Sequence, residues 1–160
     1  MATTPVPYVR THAEGESIWF LGTLMTIKAG TAETAGQFSL IEQTLPLGFA
    51  PPLHVHHAED EAFYILEGSF TFYCGDQTLA APAGSFVYLP KDLPHSFRVD
   101  QAPARLLQWT IPAGFERFHV EVGEPAPQLT LPPPGPPAVD KLLALAPNYQ
   151  VEILGPPPGW

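Results

Sequence analysis

The sequence has a single cysteine, Cys74, so it can form no intramolecular disulfide, and a reducing compartment is the natural expectation. Basic residues are scarce: 7 Lys and Arg stand against 16 Asp and Glu, for a net charge of -9. That balance lacks the positive footprint that nucleic acid or an anionic membrane surface requires. No apolar run approaches the roughly 20 residues needed to span a bilayer. The opening "MATTPVPYVRTHAEGES" lacks the basic-then-apolar pattern of a signal peptide. A cytoplasmic protein is expected, with a small molecule as its partner, and neither nucleic acid nor membrane. Helical periodicity is missing from residues 1–110, and internal repeats are missing throughout.

What is abundant is proline, at 21 of 160 residues. Pro46, Pro51, Pro52, Pro82, Pro90, Pro94 and Pro103 fall mostly between short segments rich in β-branched and aromatic residues, such as "QFSLIEQTL", "EAFYILEGSFTFYCG" and "HSFRVD". Proline cannot donate to a sheet ladder, so it punctuates strands rather than interrupting them. The turn signals "LEGS", "CGDQ" and "PAGS" recur at close intervals. An all-β sandwich or barrel is expected over about residues 17–112, in one domain covering 1–160. Residues 113–160 form a C-terminal arm. In it, "AGFERFHVEV" reads as a short helix or a last strand, and "PPPGPP" as stiff and extended. "AVDKLLALA" reads as a helix with Val139, Leu142, Leu143 and Ala146 on one face, and "YQVEILG" as an extended ending.

The stretch "HVHHAEDE", residues 54–61, concentrates imidazoles and carboxylates. On a strand, His54 and His56 project to one side and His57 to the other. Glu61 opens the next strand, and with it Phe63 and Ile65 face inward; His95 opens "HSFRV" and takes Phe97 and Val99 inward. His54, His56, Glu61 and His95 are therefore the candidate metal ligands. Phe63, Ile65, Phe97 and Val99 are the candidate pocket lining. Three imidazoles and one carboxylate suit a first-row divalent ion (Ni, Mn, Fe, Co, Cu or Zn) and not Ca or Mg. His12 and His119, distant in sequence, read as surface or core-edge residues.

Gly48, His54, His56, Glu61 and Gly68 match the first motif of the cupin superfamily, and Gly84, Pro90 and His95 match the second. The chain resembles that family, whose fold is a double-stranded β-helix, a jelly-roll barrel. Asp92 stands where the second motif usually has glycine, and Val99 where it usually has asparagine. The flanks, including "PARLLQWTIPAGFERF" and "YQVEILGPPP", resemble bacterial monocupins of quercetin 2,3-dioxygenase type. That resemblance implies a metal-dependent dioxygenase acting with O2 on a flavonol-like or enolisable molecule, with Glu61 as catalytic base, and a homodimer. Other metal-dependent cupin enzymes (isomerase, cyclase or decarboxylase) and a non-catalytic binding cupin are the alternatives.

Overall fold

The computed structural model describes residues 4–159; residues 1–3 and 160 of the expected domain lie outside the described residues. In chain order the strands are β1 (Glu16–Phe20), β2 (Thr23–Ala29), β3 (Ser39–Leu45), β4 (Leu53–His56), β5 (Asp60–Cys74), β6 (Gln77–Pro82), β7 (Phe86–Leu89), β8 (His95–Ile111), β9 (Glu124–Pro125) and β10 (Val151–Gly155). The helices are α1 (Thr31–Thr34), α2 (Glu116–Val122) and α3 (Val139–Leu145), with a 3₁₀ turn at Ala146–Tyr149. Among the described residues every strand pairing is antiparallel. The expected all-β jelly-roll barrel with a short helical tail is what forms.

β5 and β8 are the spine, at 15 and 17 residues. The first half of β5 pairs with the second half of β8, and the reverse. One wall therefore runs β9-β1-β2-β3-β8-β5-β7, and the other runs β10-β4-β8-β5-β6, with the two long strands passing from wall to wall. At the crossing the ladder shifts register: Glu67 faces Arg105, while Ser69 faces Gln101. Three residues of β8, including Pro103, thus lie opposite Gly68 alone. Pro103 sits inside a strand, against the expectation for prolines, because here no ladder bond is asked of it. The shift also reverses side-chain parity. Phe63 and Ile65 point inward before it, and Phe70, Phe72 and Cys74 after it; on β8, Phe97 and Val99 give way to Ala104 and Leu106. Without the bulge one half of each strand would turn its apolar face to water.

These residues build one core. A second joins Ile18, Phe20, Met25, Ile27 and Ile41 to Phe115, Phe118 and Val122 of the α2 region, Leu142 of α3, Ala146 and Val151. The arm is thus folded onto the barrel. "AGFERFHVEV" resolves as a helix, and the extended ending becomes β10, hydrogen-bonded to the edge of β4. The face assigned to α3 needs correction: Leu142 and Ala146 are buried, but Val139 and Leu143 are 44% and 48% exposed. The helix is so short that only one turn of it touches the barrel. The apolar β1–β2 ribbon is buried within the chain, since β2 lies between β1 and β3. Among the described residues no helix is long and apolar enough to cross a membrane.

Gly68 has φ of 80°, and a Cβ there would collide with the carbonyl oxygens of Gln101 and Pro103. Gly75 also has positive φ, but nothing lies within 4 Å of where its Cβ would be. Gly68→Ala is expected to cost about 2 kcal/mol or more and lower the melting midpoint by about 6 °C. Gly75→Ala should lower it less. Equal losses in calorimetry would show that close approach at the crossing contributes nothing.

Candidate metal centre

β4 is only four residues long, yet it sits between two partners. His54 faces His95 of β8 across one edge, and Ile153 and Val151 of β10 face His54 and His56 across the other. Glu61 is the second residue of β5 and His95 the first of β8, so each ligand candidate stands on a hydrogen-bonded strand rather than in a loop. The four side chains converge: one ligand atom from each of His54, His56, Glu61 and His95 lies within 4.8 Å of all the others. Atoms bound to one cation at about 2.1 Å are about 3.0–3.4 Å apart when adjacent and about 4.2 Å when opposite, so small side-chain shifts bring the set into range of one ion.

The tautomers follow from the neighbours. His54 Nδ1 donates to the Pro52 carbonyl at 2.6 Å, and His95 Nδ1 to the Leu93 carbonyl at 3.2 Å. His56 Nδ1 lies 3.5 Å from Glu59 Oε1. His54 and His95 thereby turn an Nε2 lone pair toward the centre, and His56 turns its Nε2 there as well. His56 Nε2 abuts Glu61 Oε1, and His95 Nε2 lies 3.5 Å from the same oxygen. Apart from this crowded His56–Glu61 contact, none of the three buried atoms has a hydrogen-bond partner. Orphaned polar atoms in a core are costly, and a shared cation relieves all of them together. The residues present therefore fit a divalent metal.

Charge is already balanced locally. Burial alone would depress the His56 imidazole, but the Glu61 carboxylate against it, with Glu59 behind, raises it to about 9. Burial alone would likewise raise Glu61, yet the His56 charge holds its carboxyl well below the usual range. His54 is driven down to about 3 by burial and then by the charges of His95 and His56. In effect, the His56 proton stands where a cation would stand.

His57 points outward, donating from Nδ1 to Asp92 at 2.7 Å and from Nε2 to Glu152 at 3.1 Å, which clamps β10 to the end of β4. Asp92 has φ of 67°, the left-handed conformation that explains the usual glycine at this motif position, and aspartate adopts it more readily than most residues.

Of the expected pocket lining, Phe63 and Phe97 do face the cavity beside the cluster. Ile65 and Val99 do not. They are 0% and 1% exposed, one inward step deeper, and fill the barrel core beneath the cavity floor. The remaining wall comes from Phe20, Phe49, Phe115, Phe118 and residues of β10. His119, expected at the surface or the edge of the core, is 4% exposed and on the cavity wall, because α2 lays its inner face across the barrel mouth. Gln108 Nε2 donates to Glu61 Oε2 at 2.9 Å, and Gln43 in turn donates to Gln108. The sign of this pair in the sequence is that the inward row on β8 turns from Ala104 and Leu106 to the polar Gln108 and Thr110. The cavity is about 70 Å³, well below the roughly 300–1,000 Å³ of pockets that enclose drug-sized ligands.

A model of the cupin domain matches residues 41–110. A quercetin 2,3-dioxygenase of Bacillus subtilis (strain 168) is 32% identical over 120 residues, covering 75% of this chain and 36% of that protein, so the chain spans about a third of this curated relative's length. Among solved structures, a predicted oxalate decarboxylase of Thermotoga maritima has a TM-score of 0.60 at 19% identity, over 66% of this chain and 99% of that one. The polyketide cyclase RemF of Streptomyces resistomycificus has a TM-score of 0.55 at 23% identity, over 66% of this chain and 80% of that one. At these identities the two structures show a shared fold and nothing finer.

The protonation pattern has a measurable consequence. At pH 7 Glu61 is already ionised, His54 is neutral and His56 carries a proton that a cation must displace. Affinity for Co²⁺ should therefore rise about tenfold per pH unit between pH 7 and the His56 value of about 9, then level off. Titration calorimetry in buffers of different ionisation enthalpy should count about one proton released from His56 per ion at pH 7. The raised His56 value also stabilises the metal-free fold fully below the ordinary imidazole value of 6.5, and that contribution is lost as pH climbs through about 9. A pH-independent affinity would remove the His56–Glu61 ion pair from this account.

Proposed function

The chain carries a cupin domain, and from that premise we propose that it is a metal-dependent cupin oxidoreductase, a dioxygenase acting on a flavonol-like or enolisable small molecule. The observation that carries the reading is the convergence of His54, His56, Glu61 and His95 beside an aromatic-walled cavity that all four line. A closed structural site usually spends all four positions on protein ligands, often thiolates, and is not built beside a cavity. Here the only cysteine, Cys74, lies opposite His95 on the β5–β8 ladder and is not among the side chains whose ligand atoms converge.

When bound, a first-row divalent cation would supply a Lewis acid that lowers the pKa of a coordinated hydroxyl and holds it in place. The protein's own groups do the rest. Glu61 is ionised and buried, and the Gln108 amide fixes its Oε2, so its carboxylate is set to accept the proton of a substrate hydroxyl or enol. Phe63, Phe97, Phe115 and Phe118 exclude water from the electron-rich anion that results. His54, His56 and His95, pinned on adjoining strands, hold position while the substrate's charge changes.

The small cavity favours a compact substrate as the structure stands, and a flavonol enters only if the arm bearing Phe115 and Phe118 moves outward. That same compactness supports the second reading, a metal-dependent isomerase, cyclase or decarboxylase on a compact enolisable acid or ketone. Oxygen uptake separates the two. A homodimer is the expected assembly, and the exposed Tyr64, Phe86 and Tyr88 on the outer face of β5 and β7 are the surface it would cover.

With metal-loaded protein and quercetin, an oxygen electrode should register uptake, and Glu61→Gln should reduce the turnover number by about 100-fold or more. Metal content, read by mass spectrometry, should stay within about twofold. Full activity in the variant would refute the base; substrate consumption without oxygen uptake would refute the dioxygenase and leave the second reading.

A further inference from the structure

His119 is a buried imidazole that the cluster does not use. It projects from α2, is 4% exposed, and its Nδ1 is buried without a hydrogen-bond partner. Its ring packs against three phenylalanines: Phe20 at 4.8 Å between centroids, Phe115 at 4.7 Å and Phe118 at 6.0 Å. A purely structural side chain in such a nest would be another phenylalanine, which fills the space and buries no polar atom. An imidazole left unsatisfied there costs free energy and calls for a reason.

The reason lies in what shares the cavity. The Phe115 ring stands between His119 and the cluster, 4.4 Å from the His56 ring on one side and 4.7 Å from His119 on the other. His119 is not one of the four side chains whose ligand atoms converge. It is near enough to line the same cavity and too far to share the same cation. Burial holds the ring down to about 4, so it is neutral at physiological pH, with one N–H and one lone pair.

On the reading of this centre as a site for enolisable ligands, we propose that His119 is a substrate-contacting residue that makes a hydrogen bond to a polar atom at the end of the ligand remote from its metal-chelating oxygens. The ligand class this selects is a compact enolisable carbonyl compound, two oxygens chelating at one end and a further oxygen at the other. A purely apolar remote end would leave the imidazole unpaired in the complex as well, and is selected against.

Maltol, the chelating hydroxypyranone ring of a flavonol without its aryl groups, is the probe, because its ring oxygen lies away from its two chelating oxygens. The full-length protein is loaded with Co²⁺ and titrated with maltol without oxygen, following the visible cobalt bands. His119→Phe and His119→Leu should bind maltol about tenfold more weakly than wild type, and His119→Gln, which keeps a hydrogen-bonding group, within about threefold. Cobalt stoichiometry should match wild type in all three, and the melting midpoint of His119→Phe should equal or exceed that of wild type, since the unpaired buried imidazole is removed. If wild type binds cobalt but not maltol, the enolisable-ligand reading itself falls. If wild type binds maltol and both apolar variants bind it equally well, that reading stands and His119 does not touch the ligand. Loss of cobalt from the apolar variants would also overturn the proposal, because His119 would then be serving the metal centre.

Discussion

Burying an ionised glutamate among three imidazoles is unfavourable unless positive charge stands among them, and much of this molecule is arranged around that requirement. In the metal-free fold the charge is the His56 proton, held against Glu61 Oε1. The imidazoles are oriented by what lies behind them: the Pro52 and Leu93 carbonyls and the Glu59 carboxylate. Gln108 and Gln43 extend the same ordering behind Glu61. A centre supported on every side in this way is built to exchange that proton for a cation with little rearrangement, should one bind, which is what separates a preorganised site from polar side chains that merely lie near each other.

The support depends on strand geometry some distance away. β4 is too short to be stable as an edge, so its four residues are held between β8 and β10. β8 can present His95 to the centre and still bury Ala104 and Leu106 only because the register shift opposite Gly68 reverses its parity midway. The far end of the chain is thus part of the site. β10 covers the open edge of the His54–His56 strand, and α2 brings Phe115, Phe118 and His119 over the mouth. The arm gives the centre a roof as well as an edge, and its closeness explains why the cavity is so compact.

The convergence of His54, His56, Glu61 and His95 was legible because its signals are local. A two-residue spacing puts His54 and His56 on one face of any strand, and Glu61 and His95 each open an apolar alternating run. Phe63 and Phe97 were legible as wall residues for the same reason. Alternation reports which face a side chain takes and not how deep it lies, and so Ile65 and Val99 were expected in the cavity and are found beneath it. Gln108 and His119 were not legible as site residues. Gln108 meets Glu61 and Gln43, and His119 meets Phe20, only through contacts between segments more than 40 residues apart.

By itself, then, the sequence determined the class of fold, the four side chains that converge at the barrel mouth and the protein's acidic, thiol-poor character, because period-two patterning, turn chemistry and composition act over a few residues at a time. The tertiary structure alone decided the depth and size of the cavity, the protonation of the centre and the recruitment of the C-terminal arm. Those properties depend on desolvation and on distances between segments remote in the chain, and neither quantity exists until the walls have closed around the site.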